Sequence, residues 1–220
     1  MWGLKMLSTV QLKSSLEAAL QYSNDLSEEA IKFLADRGIS EEIARRYHLG
    51  TILQPFATHE NYKGWLSIPY ITAMGHCVGF KFRRLDDGKP KYGAPLGQKG
   101  HLYNVSDIII SSEYIAICEG ELDTIISSAI LGLPAVGVPG VAAWKPHFTR
   151  MFSGYGRIFI IGDNDLKDDG TNPGAEFSRM VAQEVDNSTI VSLPAGMDLN
   201  DLYLAKGIEE TKRTIGVPNV

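Results

Sequence analysis

The chain has 220 residues, 44% apolar and 21% charged, with a formal net charge of −5. That length suffices for one sizeable core or two small subdomains packed together, and the composition is ordinary for a soluble globular protein. No apolar run approaches the ~18–20 residues that span a bilayer, and the N-terminus has no signal-peptide pattern; the negative charge also excludes a protein that coats nucleic acid over its whole surface. A cytoplasmic protein is the expectation.

In chain order, the first fifty residues read as helical. Leu12, Leu16, Ala19 and Leu20 recur at helical spacing behind a cap at Ser8 or Thr9. Leu26-Ser27-Glu28-Glu29-Ala30 opens a second helix that ends at Arg37-Gly38, and Ser40-Glu41-Glu42-Ile43 opens a third that closes near Leu49-Gly50. Gly38 and Gly50 are the expected helix stops. From Trp65 the texture is that of strands: Trp65–Ile71 and Cys77–Phe82 flank a turn at residues 73–76. An irregular loop rich in Gly and Pro follows, from Gly88 to Gly100.

Charge is unevenly placed. Between Lys81 and Gly100 stand Lys81, Arg83, Arg84, Lys89, Lys91 and Lys99 against Asp86 and Asp87, a local +4 that leaves −9 for the remainder. A solvated hairpin and a nucleic-acid contact both account for such a stretch. Cys77 and Cys118 belong to no CxxC pair, so they assemble no zinc site of four cysteines, or of three cysteines and a histidine. Cys118 reads as a small buried hydrophobe.

Beyond residue 113 strands and helices alternate. Strands are expected at Tyr114–Cys118, Ala135–Val138, Arg157–Ile161 and Thr189–Leu193. Helices are expected at Glu121–Leu131, near Ala142–Met151 and from Gly174 to Val185, with two short helices at the end. Short apolar strands separated by amphipathic helices imply an α/β fold with a parallel sheet covered on both faces. Functional groups in such a sheet collect beyond the C-terminal strand ends. Here those ends read Glu119-Gly120-Glu121-Leu122-Asp123, Gly162-Asp163-Asn164-Asp165 and Gly196-Met197-Asp198-Leu199-Asn200-Asp201. Carboxylates held that close repel unless a cation stands between them, and Mg2+ takes its protein ligands from such oxygens. A single acid after a strand is usually a helix cap, and Asp198 or Glu121 alone carries no more than that. A calcium loop at Asp163–Gly170 is excluded: Lys167 falls where the third ligand belongs, and Gly174 stands where the pattern needs Glu.

Glu119-Gly120 followed by Asp163-Asn164-Asp165 resembles the Toprim signature. Gly196-Met197-Asp198-Leu199-Asn200 resembles the third acidic motif of DnaG-type bacterial primases. Upstream, Arg37-Gly38-Ile39, Leu49-Gly50, Ile68-Pro69-Tyr70, Val78-Gly79-Phe80-Lys81-Phe82-Arg83, Pro90-Lys91-Tyr92, Lys99-Gly100 and Leu102-Tyr103 are similar, in order, to segments of the same primases. The resemblance covers residues 33–202. It implies a Toprim parallel sheet flanked by helices (113–220), preceded by a smaller α+β subdomain with the basic loop (1–112).

It also implies a primase catalytic core that makes short RNA primers on single-stranded DNA from ribonucleotides. Asp163, Asp165 and Asp198 would hold Mg2+ or Mn2+, and Glu119 would be a ligand or assist deprotonation of the primer 3′-hydroxyl. Arg83, Lys91 and Lys99 would meet template or nucleotide phosphate. The sequence departs from the family in Asn200, where the motif usually carries Asp, and in an inserted stretch, Leu166–Asn172. It shows neither the zinc-binding nor the helicase-binding module of full bacterial primases. A compact phage form is therefore expected, acting in the host cytoplasm with a separate zinc-ribbon protein and a replicative helicase as partners. The competing expectations are a Toprim-type nuclease with the same acids and a non-catalytic accessory that binds primer–template.

Overall fold

A computed structural model describes residues 7–110, 112–140 and 143–217, which fall into two compact units, Met1–Lys99 and Gly100–Val220. Residues 100–110, grouped with the N-terminal part in the reading from sequence, fall in the second unit. Tyr103 exchanges backbone hydrogen bonds with Gly137, and Leu102 joins that unit's core.

In the first unit, α1 (Thr9–Asn24), α2 (Glu28–Ala35) and α3 (Glu41–Arg46) start at Ser8, Ser27 and Ser40, each of whose hydroxyls accepts a hydrogen bond from a backbone N–H three residues on. These bonds satisfy helix-start donors that would otherwise lack partners. Gly38 has the positive φ of a helix stop. Gly50 does not stop α3. His48 takes the positive φ there, and Gly50 instead opens β1 (Gly50–Thr51), where a Cβ would collide with the backbone of Tyr22 in α1. Glycine is needed at residue 50 for close approach, not for chain reversal.

The antiparallel order is β1-β2-β3-β4, with β2 at Leu66–Ile71, β3 at Cys77–Arg83 and β4 at Tyr92–Gly93 inside the basic loop. Pro69 is tolerated in β2 because β1 reaches only as far as Leu66 and Ser67, so on that side Pro69 has no partner strand requiring an N–H. Ala18, Ala19 and Tyr22 of α1 pack on Phe80 and Phe82 of β3 to form the core.

The second unit carries a parallel sheet in the order β6-β5-β7-β8, with β5 at Tyr114–Cys118, β6 at Ala135–Gly137, β7 at Arg157–Ile161 and β8 at Ser188–Ile190. Ile115, Ile117, Val136, Ile158 and Ile160 pack with Phe177 and Val181 of α5 (Pro173–Glu184) and with Val185 just beyond it. The alternate residues Ala116, Cys118, Phe159 and Ile161 are buried on the other face, as period-two strands require. The helix expected at Glu121–Leu131 begins as α4 (Glu121–Ile125) and widens into a π turn at Ile126–Ile130. Near residue 142 the expected helix is a short 3-10 segment, Pro146–Met151, entered through Pro146; Ala142 lies outside the described residues. The two short terminal helices are both present, joined across Gly207, whose φ 74 and ψ 177 are non-helical; together they are labelled α6 (Leu199–Ile215).

Candidate active site

Three loops at the C-terminal ends of the parallel strands carry the acids named from sequence. Glu119 follows β5, its N–H donating to Ile161 O of β7 at 3.0 Å, and its Oε2 accepts from the Asp163 N–H at 3.2 Å. The first two acidic segments are thus joined directly. Asn164, the middle residue of Asp163-Asn164-Asp165, ties in the third. Its N–H donates to Met197 O (3.0 Å), its carbonyl accepts from Gly196 N–H (2.8 Å), and its Nδ2 donates to Leu193 O (2.7 Å). Asn172 Nδ2 donates in turn to Asn164 Oδ1 at 2.9 Å.

Two glycines let the backbone close here. A Cβ at Gly162 would strike Gly174, and one at Gly174 would strike the backbone of Asp163, so the start of α5 lies hard against the acidic loop.

The electrostatics follow from this packing. Burial, then Glu119, Asp198 and Asp165, push the Asp163 carboxyl up to about 7, opposed in part by Lys167. Asp123, three residues beyond Gly120 in the first turn of α4, is driven well above the carboxylate range by burial and by the Asp198, Asp163 and Asp201 charges. It accepts a hydrogen bond from Asn200 N–H at 3.1 Å. Asp123 is therefore a fifth acid of the site. Sequence alone places Asp123 in the Glu119–Asp123 segment without a role; its position in the first turn of the helix that follows the Glu-Gly pair is the signal that points to it.

Asp198 caps α6, its Oδ1 accepting from Asp201 N–H at 2.7 Å. Capping does not preclude a second role, since an ionised carboxylate has about four acceptor positions. Glu121 is buried and leaves the cap position of α4 to Gly120. Asp165 is half exposed, with Lys167 Nζ 3.6 Å from its Oδ2. The inserted stretch is a self-bonded turn: Lys167 N–H donates to Thr171 O, Gly170 N–H to Lys167 O, and Thr171 to Asp169.

Among the described residues, no three His, Cys, Asp or Glu side chains close around one point as metal ligands do. The donor set nonetheless suits a hard cation: carboxylates alone, gathered at strand ends, with the Asp163 and Asp123 carboxyls pushed up by burial and by the neighbouring charges.

The basic residues belong to the first unit. Lys91 and Lys99 are exposed. Arg83 is only 6% exposed: its Nη1 donates to the Tyr92 hydroxyl, and its guanidinium lies 4.7 Å from the Phe33 ring centre and 5.0 Å from that of Tyr92. Its Nε has no hydrogen-bond partner. Arg83 is thus a packed cation between two rings, a surrounding that residue type alone does not reveal.

No family model matches the chain. By sequence it is 41% identical to the Gene 57 protein of Mycobacterium phage D29 over 150 residues, 66% of this chain and 94% of that protein. It is also 26% identical to the DNA primase of Staphylococcus epidermidis (strain ATCC 12228 / FDA PCI 1200) over 202 residues, 86% of this chain but only 33% of that protein. The solved Aquifex aeolicus primase, comprising zinc binding and RNA polymerase domains, superposes with a TM-score of 0.75 at 20% identity, covering 98% of this chain and 63% of that one. A DnaG primase catalytic domain bound to ssDNA superposes with a TM-score of 0.70 at 17% identity, covering 94% and 82%.

The architecture is therefore that of the catalytic core of DnaG-type primases: a parallel sheet with acidic strand ends, preceded by an antiparallel α+β unit. The chain belongs to the family of the phage D29 Gene 57 protein and spans about a third of the staphylococcal primase.

Proposed function

We propose that the chain is a DNA primase catalytic core that synthesises short RNA primers on single-stranded DNA from ribonucleotides. The observation that carries this reading is the joining of three acidic strand-end loops through Glu119 and Asn164, which leaves the Asp163 carboxyl at about 7 among its neighbours. Asp163, Asp165 and Asp198 would hold Mg2+ or Mn2+, with Asp123 and Glu119 beside them. When bound, the cations supply charge neutralisation and activation for in-line displacement at the nucleotide phosphate.

The chain's own residues do the rest. Glu119 fixes the Asp163 backbone with one carboxylate oxygen while it stands beside the reacting hydroxyl. Asn164 keeps the Asp163–Asp165 loop in register with Asp198. Lys91 and Lys99 attract template phosphate, and Arg83 orients Tyr92 at the edge of that surface. The fold is shared with a DnaG catalytic domain solved bound to ssDNA, which supports the template assignment.

The test is ribonucleotide incorporation on single-stranded templates with Mg2+ or Mn2+, with Asp163→Asn as control. Primer synthesis by the wild type and its loss in the variant are expected. Cleavage of labelled single-stranded DNA without synthesis would assign the same acids to a nuclease.

A further inference from the structure

In the basic loop, Pro95-Leu96-Gly97-Gln98 forms a tight turn closed by Gln98 N–H donating to Pro95 O at 3.2 Å, with Gly97 at φ 76 in the position where a type II turn requires it. Leu96 at its tip has 103% of its reference exposure, so its side chain touches no core.

The turn is nevertheless fastened on both flanks. On one, Gln98 reproduces a strand pairing with its side chain: Oε1 accepts from Phe80 N–H at 2.7 Å and Nε2 donates to Phe80 O at 2.9 Å. On the other, the Tyr62 hydroxyl donates to Ala94 O at 2.8 Å. Both tethers depend on missing side chains. A Cβ at Gly79 would lie 2.6 Å from Gln98 Oε1, and one at Gly93 would run into the Tyr62 ring. Two glycines, an amide and a phenol thus fix a turn whose apolar tip stands in water.

An exposed leucine by itself is ordinary, but one on an anchored turn within a stretch of local charge +4, between Lys91 and Lys99, is placed against a polyanion with apolar faces. Unpaired bases are such faces: single-strand binders stack aromatic side chains on them, and leucine is among the apolar side chains that wedge between base steps.

We propose that Leu96 is a base-contacting residue that packs against an unstacked base of single-stranded nucleic acid, while the lysines on either side engage the flanking phosphates. The contact rests on the template binding proposed above. Anchoring strengthens the contact, because the pre-set turn loses little conformational entropy on binding.

The experiment is fluorescence-anisotropy titration of the full chain with fluorescein-labelled oligo(dT) across a salt series, for wild type, Leu96→Ala, Leu96→Phe, Gln98→Ala and Lys99→Ala. Leu96→Ala is expected to weaken binding about three- to tenfold at every salt concentration with an unchanged salt slope, because an apolar contact releases no counterions. Gln98→Ala should move the same way, Leu96→Phe should restore affinity, and Lys99→Ala should flatten the slope. Unchanged affinity in Leu96→Ala alongside a Lys99→Ala loss overturns the base contact and leaves template binding standing. A changed salt slope in Leu96→Ala overturns it too. If oligo(dT) does not bind the wild type, the template assignment itself fails. If Leu96→Ala binds oligo(dT) normally and loses only a protein component of priming, the tip docks protein and the proposal is wrong.

Discussion

Replacing Asp163 with Asn should stabilise the metal-free protein while ending catalysis. Burial and three neighbouring carboxylates raise the Asp163 carboxyl from an ordinary 3.8 to about 7. A carboxyl whose folded-state pKa is raised binds its proton more tightly folded than unfolded. Its favourable contribution is therefore complete below about pH 4 and is lost as pH rises through about 7. At roughly 1.4 kcal/mol per pKa unit, the shift corresponds to a ceiling of about 4 kcal/mol at pH 8. Asp163 retains partial surface, and solvent screening reduces the expected gain to about 1–2 kcal/mol. Asparagine is nearly isosteric and uncharged, so it relieves the repulsion at any pH.

The assay is urea or thermal denaturation in EDTA at pH 5 and pH 8, where each kcal/mol moves the melting temperature by about 2–4 °C in a chain of this size. Asp163→Asn should melt higher than wild type at pH 8, with a smaller difference at pH 5. Mn2+ should then stabilise the wild type more than the variant, because the cation replaces the missing counter-charge only where the full carboxylate set is present. A variant no more stable than wild type in EDTA at pH 8 would show that the acids are not crowded as described.

Asn164→Ala removes a half-buried side-chain hydrogen bond to Leu193 O and leaves Asn172 Nδ2 without its acceptor. It should cost about 1–3 kcal/mol in denaturation and lower ribonucleotide incorporation at least tenfold through lost loop register. Gly174→Ala places a methyl into the Asp163 backbone; weakened Mn2+ binding by calorimetry, with helical circular dichroism retained, is the expected outcome. His59 is buried beside Tyr22, whose hydroxyl lies 2.9 Å from His59 Nδ1 and itself accepts from Phe56 N–H at 2.8 Å. Burial holds the imidazole below 6.5 despite the nearby Glu60 charge. Stability of the first unit should therefore fall as pH drops below 6.5, where the unfolded chain takes up the proton first, and a melting series with His59→Gln should lose that slope.

Much of this fold is written locally. Ser8, Ser27 and Ser40 announce their helices because a hydroxyl three residues before an unsatisfied N–H is a purely local bond. The unbroken apolar runs of β5 and β7 announce a buried parallel sheet. What could not be read depends on neighbours distant in sequence. Gly50 looks like a helix stop until Tyr22 is found against it. Arg83 looks like a phosphate ligand until Phe33 and Tyr92 are found enclosing it. In the site, Asp163, Asp165 and Asp198 were legible as charges at strand ends. Asn164 was not, since its importance lies in bonds to residues 29 to 33 positions away.

The charge distribution constrains the order of events at such a site. Outside residues 81–100 the chain carries −9, and Glu119, Asp123, Asp163, Asp165 and Asp198 lie in or next to the strand-end loops where the proposed reaction places a polyphosphate. Without a cation, the same field that raises Asp163 and Asp123 would repel a nucleotide triphosphate. A bound divalent ion is the largest local charge in such a site and reverses the sign of that field. Nucleotide affinity should therefore be linked to metal. In titrations of a ribonucleoside triphosphate monitored by calorimetry, binding should be undetectable in EDTA and appear with Mn2+. By contrast, oligo(dT) affinity carried by Lys91 and Lys99 should survive chelation. Equal nucleotide affinity with and without metal would mean that the acids do not face the phosphates, and the catalytic reading of Asp163 and Asp198 would fall with it.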